Sequence, residues 1–100
     1  MPDFLLLMHD DVLEGMSARD DDWEPYIRKL QASGHFVGGS AIGLGVCVRK
    51  TGAAPPTTGH LTGFVRIQAD SLDQARRLLA GNPIFEAGGT VEIRELPRTE

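Results

Sequence analysis

The sequence predicts a small α+β protein of the ferredoxin-like type, a split βαβ fold with the element order βαββαβ. Three observations support this class: a short apolar strand near the N-terminus, an amphipathic helix after it, and a second strand–helix–strand unit in the C-terminal half. Two such units joined by right-handed crossovers place the strands in the order 4-1-3-2. A chain of 100 residues has the common size of one domain, so we expect a single domain over residues 1–100.

Residues 4–8 form the first predicted strand. Every side chain in it is apolar, whereas a strand with one face in water would alternate apolar and polar side chains. We therefore expect this strand to be buried on both faces and to lie in the centre of the sheet.

Residues 23–33 form the first predicted helix. Its apolar residues recur at the spacing of one helical face. Asp21 or Asp22 can cap its N-terminus, and Gly34 can end it in the left-handed conformation. The apolar face consists of Trp23, Tyr26, Ile27 and Leu30.

The middle of the chain is predicted as a strand followed by a loop. Residues 35–42 form the second strand, in which Gly38 and Gly39 mark a bulge or a close backbone approach. Residues 46–48 continue as a short extended piece, in which Cys47 is expected to be a small buried side chain. Residues 50–59 contain two prolines and two glycines, which predicts a flexible loop.

The second unit contains the most legible helix. The side chain of Ser71 can accept from the amide of Gln74, whose own side chain can reach back to the Ser71 amide, which is a capping box. We expect Gly81 and Pro83 to end this helix. The buried stripe of this helix is expected to consist of Leu72, Ala75, Leu78 and Leu79. Two strands with alternating side chains, at residues 63–68 and 90–96, flank the helix.

Composition and charge exclude several classes of function. The chain has 10 Lys+Arg, 14 Asp+Glu and a net charge of −4, and it lacks the basic stripe that nucleic-acid binding requires. Its acidity also argues against docking on an anionic membrane. The N-terminal apolar run is too short for a membrane span or a signal peptide. Cys47 stands alone and cannot form an intrachain disulfide, which favours a cytoplasmic location.

The predicted sheet leaves one face without a covering layer. Two helices can cover only one face of four strands, so the other face carries apolar side chains that a monomer should not expose. We therefore expect a homodimer that packs sheet to sheet through this uncovered face.

Several segments together resemble the YCII-related family. They are FLLLMHDD at residues 4–11, the helix pattern W-x-x-Y-x-x-x-L-x-x-S-G at residues 23–34, and ADSLDQARRLLAGNP with GGTVEIREL at residues 69–96. Within the family, the chain is similar to the small bacterial branch named for a DGPF tetrapeptide. The resemblance covers nearly the whole chain and implies a dimeric α+β barrel.

The resemblance also bears on function. Most such proteins have no established activity, some occur beside extracytoplasmic-function sigma factors, and a few relatives are small lyases or dehydrochlorinases with a proposed His–Asp catalytic pair. This chain departs from the family pattern in two places. It has Thr58-Gly59-His60-Leu61 where the DGPF segment is expected, and its first helix carries no histidine. No catalytic residue is therefore transferred by motif.

His9 and Asp10 are the predicted catalytic residues. They follow the central strand, at a position where functional groups are common, and a histidine beside a carboxylate can act as a general base. Arg66 lies within a strand and is predicted either to anchor a small anionic ligand or to pair with Glu92 or another acid.

Two further histidines are candidate ligand-binding residues. His60 lies in or beside the flexible loop, where it can close over a pocket. His35 follows the glycine that ends the first helix, where a histidine can instead bond to the last helical carbonyls. No cofactor is predicted, and no metal site, because no group of histidines, cysteines or acids has a known ligand spacing.

Three functions are compatible with these features. We expect a non-enzymatic dimeric module that binds a small ligand or a protein partner, with a link to transcriptional regulation. The alternative is a cofactor-independent lyase or isomerase that acts on a small acidic or aromatic compound, with His9 and Asp10 as the catalytic pair and Arg66 as anchor. The third is a purely structural domain. A pocket in which His9 and Arg66 converge favours the enzyme.

Overall fold

The computed structural model describes residues 1–98. These residues form one antiparallel sheet of four strands, with helices packed on one of its faces. The sheet order β2-β3-β1-β4 is the predicted order 4-1-3-2 read from the other edge, so the predicted ferredoxin-like α+β fold is confirmed. The elements are β1 (Asp3–His9), α1 (Asp20–Ala32), β2 (Phe36–Ala41), β3 (Leu61–Gln68), α2 (Leu72–Arg77), α3 (Pro83–Glu86) and β4 (Val91–Leu96).

Strand β1 lies in the centre of the sheet, as its apolar composition predicts. Leu6 pairs with Val65 of β3 on one side and with Ile93 of β4 on the other. Alternate side chains of β1 point to opposite faces, and those on the helix face, among them Phe4 and Leu6, are buried. They form the core together with Val65, Ile67, Tyr26, Leu30, Ala75 and Leu79.

The prediction that β1 is buried on both faces is wrong for the single chain. Leu5 and Leu7 point to the face without helices and are half-buried. That face, which we call the open face, has no second layer, because all helices of the described residues pack on the other side. Its half-exposed apolar centre also includes Phe64, which pairs with Leu7.

Helix α1 begins three residues earlier than predicted, at Asp20. The carboxylate of Asp22 accepts a hydrogen bond of 3.1 Å from the amide of Arg19, so Asp22 lies inside the first turn and Arg19 is the capping residue. The acidic residues in this turn complement the positive end of the helix dipole. These acidic residues therefore form the first turn of α1, whereas we expected them to precede the helix.

Tyr26 ties α1 to the second helical unit. Its ring is buried in the core, and its hydroxyl donates a hydrogen bond of 2.9 Å to the carbonyl of Leu78. Burial raises the pKa of this phenol above its ordinary value of 10.0, because the ionised form would lose its hydration.

The C-terminal half contains a short helix that the sequence did not predict. The side chain of Ser71 caps α2 as expected, accepting 3.1 Å from the amide of Gln74. Pro83, however, begins α3, because the buried Asn82 side chain accepts from the amides of Ile84 and Phe85 and caps a new turn. A proline is favoured at the first position of a helix, where an amide proton would have no partner.

Two predicted side-chain environments are wrong. Leu72 was expected in the buried stripe of α2 but is 52% exposed at the helix start. Residues 46–48 were expected to be a short extended piece with Cys47 buried, and the structure has no strand between Ala41 and Leu61. Val46 and Val48 are exposed and Cys47 is only partly buried, because this segment runs past the end of the sheet and has no neighbouring strand.

The prediction for the paired glycines of β2 is confirmed. The register of β2 with β3 shifts between Phe36 and Gly38, which is a bulge. A Cβ added to Gly39 would lie 2.7 Å from the carbonyl oxygen of Phe64. Glycine at this position therefore permits the close approach of the two strands.

Candidate functional site

A cavity of about 660 Å³ opens on the helix face of the sheet. It lies between α1, the ends of β1, β2 and β3, and the segment that joins β1 to α1. Its volume lies within the range of sites that enclose small organic ligands. The structure thus provides a pocket, which argues against a purely structural domain whose sheet face is filled.

The wall of the cavity is mainly apolar and aromatic. Trp23 and Ile27 of α1 face Phe36 and Val65 of the sheet across it. The side chains of Trp23, Ile27 and Phe36 are only partly buried, and the Trp23 ring meets the Tyr26 ring edge to face at 6.0 Å. Trp23 was predicted to lie on the apolar face of α1 that packs in the core. Two of the four residues of that face, Trp23 and Ile27, line the open cavity instead.

The polar part of the lining consists of backbone, of the hydroxyl-bearing residues Ser17, Ser40 and Thr62, and of two acidic residues. Gly39 and Gly63 contribute main chain, since neither has a side chain. Asp10 directly follows the last residue of β1, and it lines the cavity together with Met8. Asp20, at the start of α1, is the second carboxylate. Among the described lining residues there is no lysine, arginine or histidine.

His9 lies on the open face, on the opposite side of the sheet from the cavity. Its Nε2 is 3.0 Å from Oε1 of Glu92 on β4, whose other oxygen accepts 3.1 Å from Arg94. The ring of His60 meets the His9 ring edge to face, with centroids 4.8 Å apart. Arg94 first and His9 second lower the pKa of the Glu92 carboxyl below its ordinary value.

The structure does not bring His9 and Asp10 together. Asp10 lines the cavity and His9 does not, and the carboxylate that contacts His9 is Glu92. The sequence reasoning missed Glu92 as a partner of His9, although the strand order that it predicted places the last strand beside the first. Asp11 is also engaged elsewhere: its carboxylate accepts from the amide and the hydroxyl of Thr90, and these bonds lower its pKa.

Arg66 forms an ion pair on the open face. Its Nη2 and Nε lie 2.6 and 2.8 Å from one oxygen of Asp3, and the side-chain amide of Gln68 donates a hydrogen bond of 3.2 Å to the other. The hydrogen bond from Arg66 is the largest cause of a lowered pKa at Asp3. The predicted ion pair thus exists, with Asp3 where we named Glu92. The Arg66 side chain remains 48% exposed, and its role as an anion anchor stays a prediction.

The other two predicted ligand-binding residues are also absent from the cavity lining. The Nδ1 of His35 donates 2.7 Å to the carbonyl of Gln68, and its amide donates 3.1 Å to the carbonyl of Leu30. His35 therefore joins the end of α1 to β3. His60 is exposed and contacts His9 on the open face.

Two further findings concern metal-ligand groups and membrane-spanning helices. Residues 1–98 bring together no three histidine, cysteine or acidic side chains in an arrangement suited to a metal ion. Of the helices in the same residues, none combines the length and the apolar composition that crossing a membrane requires.

The fold and the cavity define a small ferredoxin-like α+β protein with a ligand-sized apolar cavity between its helices and its sheet. A sequence model of the YCII-related domain matches residues 4–99, and the chain therefore belongs to the YCII-related family. The resemblance seen in the sequence is thereby confirmed, while the assignment to the DGPF branch stays a prediction. Among curated proteins, no sequence matches the chain significantly.

The fold is similar to that of an enzyme of known structure. This is 5-chloro-2-hydroxyhydroquinone dehydrochlorinase (TftG) from Burkholderia phenoliruptrix AC1100, in complex with 2,5-dihydroxybenzoquinone. The TM-score is 0.58 at 19% identity, over 97% of this chain and 95% of that chain. The expectation of a non-enzymatic regulatory module is contradicted by this likeness, because a protein with the same fold over nearly its whole length is an enzyme. The alternative stated from the sequence, a lyase or isomerase, fits the finding better.

Proposed function

We propose that this protein is a cofactor-independent lyase or isomerase that acts on a small aromatic compound bound in the cavity. The observation that carries the proposal is the cavity itself: a space of about 660 Å³ with an aromatic wall and the carboxylate of Asp10 at its border. The similar fold of TftG, solved with a quinone ring bound, supports a substrate of this size and shape.

The charges of the lining narrow the substrate class. Asp10 and Asp20 contribute negative charge, and the described lining contains no basic side chain to balance it. A substrate carboxylate would be repelled in such a site. Of the two substrate classes compatible with the sequence, acidic and aromatic, the cavity therefore favours an uncharged, hydroxylated aromatic ring.

The chemistry that we propose is a proton transfer at Asp10. With the ring held against Trp23, the carboxylate takes a proton from a C–H or O–H group of the substrate. An isomerase then returns this proton to another ring position, and a lyase releases a leaving group together with the electron pair of its bond. Positioned general bases of this kind contribute roughly 10² to 10⁴ in rate.

His9 enters the proposal as a positioning residue. Its amide bonds to the carbonyl of Thr90 at 3.0 Å and its ring to Glu92 at 3.0 Å, and both contacts fix the end of β1 from which Asp10 extends. A positioning role predicts that His9→Asn lowers the rate less than Asp10→Asn does. It also predicts that the pH profile of the remaining activity shifts only when Asp10 is changed.

Exchange of ring protons with solvent tests the proposal without knowledge of the leaving group. Wild type, incubated in D₂O with an uncharged dihydroxybenzene, should catalyse loss of ring C–H signals in the proton NMR spectrum. Asp10→Asn should slow this exchange by about 10² or more, whereas Asp70→Asn, an exposed control, should not. Equal exchange by wild type and Asp10→Asn would exclude Asp10 as the base.

We also propose that the open face pairs with the open face of a second copy. The half-exposed Leu5, Leu7 and Phe64 form its apolar centre, and the ion pairs Asp3–Arg66 and Glu92–Arg94 lie around it. Burial of such a centre with a charged rim is typical of subunit interfaces. We propose in addition that the protein is cytoplasmic, which is consistent with the unpaired Cys47. Light scattering at micromolar concentration should give the mass of a dimer.

A further inference from the structure

The connection between β2 and β3 projects from the body of the molecule. We call residues 43–59 the arm. In the described chain they form no backbone hydrogen bond with another segment, and a Cβ added to Gly43, Gly45, Gly52 or Gly59 would have no heavy atom within 4 Å. The radius of gyration is 15.0 Å, against about 13 Å for a compact domain of 100 residues.

The arm carries apolar side chains at alternate positions. Leu44 is fully exposed, and Val46 and Val48 are 80% and 84% exposed. Alternation with period two is the pattern of a half-buried strand, yet here no layer covers it. Exposed extended backbone together with such a stripe is the combination by which one chain adds to another.

The charges of the arm are opposite to those of the body. The arm contains Arg49 and Lys50 and no acidic residue. The rest of the chain then holds 8 of the 10 basic and all 14 acidic residues, a net charge of −6. The body of a second copy is therefore an electrostatically complementary partner for the arm.

We propose that the arm packs on a second copy of this chain, with Leu44, Val46 and Val48 buried in the contact and Arg49 and Lys50 near acidic side chains of the partner body. The body of the same chain is the less suitable receiver, since the arm forms no backbone hydrogen bond with it and contributes no residue to the cavity lining. This proposal is independent of the proposed catalysis, because no arm residue lines the cavity.

Charged substitutions in the stripe test the contact. Val46→Asp and Leu44→Asp change exposed side chains, so each monomer should keep its secondary structure by circular dichroism. Each should raise the dimer dissociation constant, measured by sedimentation, by about tenfold or more. Thr58→Asp places the same charge elsewhere on the arm and should have little effect. A monomeric wild type, or variants that dimerise as wild type does, would overturn the proposal.

Cys47 allows a second, independent test. It is the single cysteine of the chain and lies between Val46 and Val48 of the arm, so a maleimide photo-cross-linker can be placed there alone. In an equal mixture of ¹⁴N- and ¹⁵N-labelled protein, cross-links between differently labelled chains should form and map to acidic parts of the partner body. Cross-links confined to a single chain would contradict the packing of the arm on a second copy, even if the protein is dimeric through the open face.

Discussion

Single carboxylates on the open face show what the sequence could and could not reveal. Asp3 was not singled out from the sequence, although it holds Arg66 and Gln68 at one end of that face. Arg66 was recognised because a charge within a strand needs a partner. Its partner depends on the register of β1 and β3, in which Leu5, two residues after Asp3, lies opposite Arg66. Alternation alone therefore predicted that a partner exists, but not which acid it is.

The Asp3–Arg66 pair predicts a specific dependence of stability on pH. The pKa of Asp3 is lowered in the folded state, so the stabilisation is complete above the ordinary pKa of 3.8 and is lost as the pH falls through the lower, folded value. Asp3→Asn should therefore lower the melting temperature clearly at about pH 6 and much less at about pH 3. Asp70→Asn, an exposed control, should show no such convergence. A melting-temperature difference that is independent of pH would contradict the role of this pair.

At the scale of the elements, periodicity and caps were reliable guides. The apolar run of residues 4–8 correctly placed β1 in the centre, and Ser71 and Gln74 correctly began α2. The missed helix α3 has four residues, too few for a periodic pattern, and its Pro83 was taken as a stop signal. Proline is compatible both with the end of one helix and with the start of the next, and the buried cap at Asn82 decides between them.

The close approach of β2 and β3 gives a matched pair of substitutions. Gly39→Ala places a Cβ 2.7 Å from the Phe64 carbonyl, whereas Gly38→Ala places one in open space. Neither glycine has a positive φ, so the comparison isolates the steric contact. Gly39→Ala should lower the free energy of unfolding in urea by about 1–3 kcal/mol, and Gly38→Ala should change it little. Equal effects would mean that the strands can separate without cost.

At the scale of the whole molecule, the two faces of the sheet have separate proposed roles. The helix face holds the cavity with Asp10, and the open face holds the His9–Glu92 contact and the apolar centre. A pocket in which His9 and Arg66 converge, named above as favouring an enzyme, is not found, because neither residue lines the cavity and both lie on the open face. The sequence predicted the uncovered face from the number of helices. It could not predict the cavity, which depends on how far α1 stands from the sheet.

The central claim is that the cavity on the helix face binds an uncharged, hydroxylated aromatic ring. Titration of ¹⁵N-labelled protein with an uncharged dihydroxybenzene, followed by two-dimensional NMR, tests it most directly. If the ring binds in the cavity, the signals of the Trp23 indole N–H and of the Gly39 and Gly63 amides should shift saturably, because these residues line it. Shifts confined to the surroundings of His9 and Arg66, or no saturable shifts with any ring compound, would contradict it.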